Sequence, residues 1–156
     1  MSRTAVALLL ATVLSAAVGI VYVNIPDDVP VGTALRPDNA KLVSDGHQIY
    51  LVHCAECHGK NLEGQPNWRR RDAEGYLPAP PHDETGHTWH HADALLFRMT
   101  KDGLAEVAGG GYKTRMPAYA DILSDEEIVA VLSYIKSRWP ETIRERHDRL
   151  NQRAAR

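Results

Sequence analysis

Cys54-Ala55-Glu56-Cys57-His58 constrains this chain more than any other stretch. A C-x-x-C-H run is the attachment signature of a c-type haem. Two thiols at this spacing, on the last turn of a helix, each reach one vinyl group of the porphyrin and form a thioether. The His directly after them then lies beneath the ring, where an imidazole nitrogen binds iron. Cys54 and Cys57 are the chain's two cysteines, so no thiol remains for a disulfide or a second metal site. A structural zinc site needs about four ligands. There is no second Cys pair to supply them, and His90 and His91 are adjacent rather than spaced. A thioredoxin-like redox pair would sit beside a βαβ pattern, and no strand-rich segment flanks Cys54.

A second ligand candidate lies far downstream. Met1 is the initiator, and Met99 falls on an amphipathic helix face, where Met is ordinarily core. Met116 instead lies in a loop, Arg115-Met116-Pro117-Ala118-Tyr119. Pro117 restricts the backbone before it to an extended form, which aims a thioether outward rather than into a core. Gly109-Gly110-Gly111 upstream lets backbone approach a bulky group. The aromatic share is only 6%, with one Phe. A buried porphyrin would supply the apolar volume such a core lacks. The net charge of -2 gives no reason to expect a nucleic-acid partner.

The N-terminus has its own character. Ala5 to Val23 carries no charge over nineteen residues, enough helix to cross the ~30 Å hydrocarbon core of a bilayer. Arg3 precedes the run and Asp27 and Asp28 come after it. The expected topology is an N-terminus in the cytoplasm, with everything after Val23 on the far side of a bacterial inner membrane, in the periplasm. The competing reading is a cleaved signal peptide, with Ser15-Ala16-Ala17 as its processing site. Residues 1–23 are therefore read as an anchor and 24–38 as a solvated linker, extended by Pro26, Pro30 and Pro37. Residues 39–140 form the haem domain and 141–156 a polar, basic tail.

Within the domain, helical periodicity runs from about Asn39 to Cys54, with Asp38 or Asn39 as cap. Gly46 in its middle costs about 1 kcal/mol against Ala; close approach of another helix would account for it. Gly59 to Thr88 reads as a long irregular stretch. It contains Arg69-Arg70-Arg71, read as a solvated tip or as a basic group for propionates or a partner. A second helix is expected from about His90 to Asp102, capped by Thr88 and ended by Gly103. The His-rich run His82, His87, His90, His91 invites a metal reading, although His in a polar loop is ordinarily solvated. Trp89 offers an indole donor for a haem propionate. Ser124-Asp125-Glu126-Glu127 is a capping box. It opens a helix with Ile128, Val131, Leu132, Ile135 and Trp139 on one stripe, ended by Pro140. Beyond it, 141–156 reads as a short polar helix or a frayed appendage outside the core.

The chain from about Asn39 to Trp139 resembles the class I c-type cytochromes. The matching pieces are Gly46-x-x-x-Tyr50-x-x-x-Cys54, the C-x-x-C-H-Gly59 run, Ala79-Pro80-Pro81, Met116-Pro117-Ala118-Tyr119, and the Leu123–Glu127 start of the last helix with Val131 and Tyr134. The resemblance implies an all-α cytochrome c fold of three to four helices around one covalent haem c. In it the first and last helices cross at right angles, with Gly46 and Tyr50 against Val131 and Tyr134. It implies His58 and Met116 as axial ligands, the Pro80 carbonyl as acceptor for the His58 N–H, and Trp89 at a propionate. The long 59–88 loop, and His82 where an apolar residue is usual, depart from the pattern.

The expected function is one-electron transfer by a membrane-tethered monohaem protein, not catalysis. A cytochrome bc-type donor and a terminal oxidase or periplasmic reductase as acceptor are the partners the resemblance implies. The alternative is a haem subunit of an oxidoreductase complex, or a gas-binding sensor with an open sixth position; Met116-Pro117 argues against the open site.

Overall fold

The computed structural model describes residues 32–156; the expected anchor and the first part of the linker lie outside them. Among the described residues the fold is all-α: α1 (Ala40–His53), α2 (Ala55–His58), a 3₁₀ turn (Thr88–His90), α3 (Asp93–Lys101), α4 (Leu104–Ala108), α5 (Asp125–Ser137) and α6 (Glu141–Ala154). None of these helices is long and apolar enough to cross a membrane.

α1 starts where Asn39 accepts from Leu42 N through its side chain, at 3.0 Å. It buries Leu42, Gly46 and Tyr50, three residues at four-residue spacing. α5 starts at the Ser124/Glu127 capping box, with both reciprocal bonds formed. It is almost wholly buried from Ile128 to Lys136, which makes it the centre of the core. The two helices meet at Gly46: a Cβ there would overlap the Ala130 carbonyl and the start of Val131. Tyr50 packs on Tyr134 with ring centroids 5.4 Å apart. Leu96 and Phe97 of α3, with Tyr119, Leu123 and Trp139, complete the buried cluster.

Three boundaries differ from the sequence expectation. The second helix does not begin at His90 with Thr88 as cap. Thr88–His90 forms a separate 3₁₀ turn, and α3 starts after Ala92, whose backbone is extended. The stretch after Gly103 contains a one-turn helix, α4. The C-terminal segment is not an appendage. It forms the 14-residue α6, whose His147 is fully buried and donates Nε2–H to His91 O at 2.8 Å. Asn151 donates to Asp93 Oδ1 and accepts from Asp93 N.

The end of the expected linker is also docked rather than solvated. Thr33 and Leu35 are buried, Leu35 N donates to Asp93 Oδ2 at 2.9 Å, and Arg36 N donates to Ser133 Oγ at 2.9 Å. Asp93 thus joins the incoming chain, α3 and α6 at one carboxylate.

Candidate functional site

Cys54 is the hinge between α1 and α2, serving as the last cap of one and the first of the other. This break turns α2 away from α1 and presents the C-x-x-C-H residues on a single helical turn that stops at Gly59. Cys54 is half-buried and Cys57 exposed, and the two are not joined in a disulfide. Burial, then the neighbouring Cys57, pushes the Cys54 thiol up to about 12. Tyr50 closes the turn from beneath by donating its hydroxyl to Gly59 O at 2.7 Å.

His58 is buried, and its Nδ1 lies 2.8 Å from the Pro80 carbonyl oxygen. A carbonyl only accepts, so Nδ1 carries the proton and Nε2 keeps its lone pair. Burial lowers the His58 pKa and the Pro80 bond partly opposes that, which keeps the ring neutral and able to bind a metal. Gly64 makes this geometry possible. Its φ is +67°, and a side chain there would run into Pro80 and Pro81. Its N–H donates to His58 O at 2.8 Å.

His82, which the sequence marks as a departure from the family pattern and as one end of the His-rich run, is part of this wall. Its ring stacks on His58 with centroids 4.0 Å apart, and its Nδ1 shares a 2.7 Å hydrogen bond with Thr88 Oγ1. Desolvation, with His58 and His87 adding to it, lowers the His82 pKa well below the ordinary imidazole value. The Trp139 indole donates to His82 O at 2.7 Å, which ties the end of α5 to the wall. The sequence marks Trp139 only as core, because a backbone acceptor leaves no trace in composition. His87 and His91, four residues apart, meet edge to face at 5.4 Å. Among the described residues, no group of three or more His, Cys, Asp or Glu could hold a metal ion.

Met116 lies on a separate segment, between α4 and α5. It is half-buried against the core, and its N–H donates to Thr114 Oγ1 at 3.0 Å. Tyr119 anchors this segment three residues downstream. Its N–H reaches Thr100 O and Lys101 O at 3.1 Å, and its hydroxyl donates to His53 O at 2.8 Å, one residue before Cys54. Met99 packs against the core from α3.

Trp89 stacks on His90 at 3.8 Å, with the Arg146 guanidinium 4.9 Å from its ring centroid. Its Nε1 is buried and has no hydrogen-bond partner. A buried orphan donor is costly, and a propionate oxygen would satisfy it. The donor set therefore fits a haem: paired thiols, an imidazole with a free Nε2, a thioether on a separate segment, and an unpaired indole N–H.

Comparison with known proteins agrees. The cytochrome c family model matches residues 43–139, well over half of the chain. A cytochrome c6 of Diacronema lutheri is 29% identical over 100 residues, covering 62% of this chain and 95% of that protein. A cytochrome bc1 complex cytochrome c subunit of Corynebacterium efficiens is 37% identical over 62 residues, 40% of this chain. This chain spans about a fifth of that subunit's length, 21%. No solved structure matches. The chain belongs to the cytochrome c family of electron carriers, and it carries a covalent haem c on the paired thiols of Cys54 and Cys57.

Proposed function

We propose that this protein is a membrane-tethered monohaem cytochrome c that passes single electrons between respiratory-chain partners on the periplasmic side, with His58 and Met116 as axial ligands. The observation that carries the reading is the His58–Pro80 bond of 2.8 Å. It selects the tautomer, orients the ring and raises the donor strength of the opposite nitrogen. The haem supplies the one-electron Fe(III)/Fe(II) couple.

The rest is done by the chain. Cys54 and Cys57 hold the group covalently at a turn that Tyr50 braces. His82 covers the His58 ring and keeps water from it. Trp89 offers its indole N–H to a propionate. Met116, on a segment pinned by Tyr119, supplies a soft thioether that favours Fe(II) and raises the potential. The membrane and the periplasm enter from the apolar run Ala5–Val23. The family kinship to a bc1 complex subunit supports a cytochrome bc-type donor, and a terminal oxidase or periplasmic reductase is the corresponding acceptor.

Met116→Ala tests the reading. The variant is expected to lose the weak near-infrared band of Met–Fe(III), to bind carbon monoxide when reduced, and to have a lower reduction potential. A native spectrum and potential in Met116→Ala would remove Met116 from the iron.

A further inference from the structure

The loop between His58 and the 3₁₀ turn is held by hydrogen bonds of its own at both ends. Its root is closed by Gln65, which donates N–H to Ala79 O at 2.8 Å and accepts from Ala79 N at 2.9 Å. Ala79 immediately precedes Pro80, the acceptor for His58. The tip is shaped by Asp72. Its Oδ1 accepts from Glu74 N and Tyr76 N, and its own N–H donates to Tyr76 O at 2.8 Å. Arg71 closes the same turn by donating to Gly75 O at 2.6 Å.

This preformed tip grips the segment that bears Met116. The Arg115 guanidinium reaches Asp72 Oδ2 at 2.7 Å through Nη1 and Glu74 Oε2 at 2.6 Å through Nη2. The same guanidinium lies 4.0 Å from the Tyr76 ring centroid. Lys113 donates to Glu74 O at 3.0 Å, and Arg71 lies 5.5 Å from the Tyr112 ring centroid. An isolated exposed ion pair contributes little. Here one planar cation bridges two carboxylates on a turn already ordered by its own backbone, and it stacks on an aromatic ring. Arg is suited to this geometry and Lys is not.

We propose that the 65–79 loop is a brace joining the two axial-ligand segments, with its root on the acceptor for His58 and its tip on Arg115, the positioning residue that holds Met116 in place. The proposal rests on the reading of Met116 as the sixth ligand. Arg115 does not touch the iron; it limits how far the Met116 segment swings away and so how often the thioether leaves.

The test uses the oxidised holoprotein with neutral imidazole as the competing ligand, monitored by the loss of the near-infrared band. In Arg115→Gln the rate of imidazole capture is expected to rise roughly twofold to thirtyfold, the range spanned by two surface pairs, with haem content unchanged. Asp72→Asn/Glu74→Gln should raise it equally, and adding Arg115→Gln to that pair should add nothing further. Arg115→Lys should fall between wild type and Arg115→Gln. Met116→Ala is the control that separates the two claims. If it keeps the near-infrared band, the ligand assignment falls and the brace with it. If it loses the band but Arg115→Gln captures imidazole at the wild-type rate, the brace alone is overturned.

Discussion

Gly46 is where a single residue decides how the two main helices meet. A side chain at this position would enter the Ala130 backbone of α5. Neither that backbone nor α1 moves without shifting Tyr50 and Tyr134, whose rings pack at a tilt one turn on. Ala is a better helix former by about 1 kcal/mol, but overpacking a close contact costs about 1–3 kcal/mol or more. Gly46→Ala is therefore expected to destabilise the holoprotein by up to about 2 kcal/mol net, measured by denaturant unfolding monitored by far-UV circular dichroism. The helix preference alone would make the variant more stable, so a stabilised Gly46→Ala would show that α1 and α5 do not touch there. The site has residues of the same kind that composition cannot expose. Gly64 reads as an ordinary turn glycine in the sequence, and only its contact with Pro80 and Pro81 shows that it aims the acceptor for His58.

At the scale of elements, α6 is the addition to the family pattern, which ends at residue 139. Its buried His147 has a lowered pKa because of burial, with Lys136 of α5 adding to that effect. The His91 carbonyl, Asp93 of α3 and Asp148 of α6 act in the opposite direction. The neutral ring donates to His91 O and faces Asn151 Nδ2 at 3.5 Å with its Nδ1. The unfolded chain binds a proton to this residue near pH 6.5, while the folded chain binds it only at lower pH. Its contribution to stability is therefore complete above pH 6.5 and declines as pH falls below it, by at most about 1.4 kcal/mol per pH unit. His147→Gln removes the titration and keeps a donor for His91 O. Its stability is expected to fall less steeply between pH 7 and pH 5 than that of the wild type, in urea titrations at each pH; equal slopes would exclude His147 as a source of acid sensitivity. The docking of α6 is not legible in the sequence because it runs through polar residues, His147 and Asn151 against Asp93, whereas periodicity registers only apolar stripes. Where stripes and caps carry the information, as with Asn39, the Ser124–Glu127 box and the α5 core, the elements are readable to within a residue or two. In the sequence Thr88 reads as the cap and His90 as the start of α3, because nothing in composition separates the 3₁₀ turn from the helix after it.

At the scale of the molecule, the docked segment at residues 33–36 decides where the haem domain effectively begins. Burying a side chain such as Leu35 contributes about 1.5–3 kcal/mol. The bonds from Leu35 N to Asp93 and from Arg36 N to Ser133 add to that, and losing Leu35 leaves the Asp93 carboxylate short of a donor. A chain beginning at Gly32 is therefore expected to fold and load haem with a melting temperature close to that of the full-length protein. One beginning at Asn39 is expected to melt several degrees lower, since about 1 kcal/mol shifts a domain of this size by roughly 2–8 °C. Equal melting temperatures for the two would mean that residues 33–36 contribute no stability. The same docking bears on the proposed tether, because it leaves only residues 24–32 between the apolar run and the packed domain. The full-length protein is expected to sediment with membranes, to resist extraction by high salt, and to yield an N-terminal sequence at or next to Met1. A soluble product beginning near Val18 would instead identify residues 1–17 as a cleaved signal, with the haem domain released on the same side of the membrane.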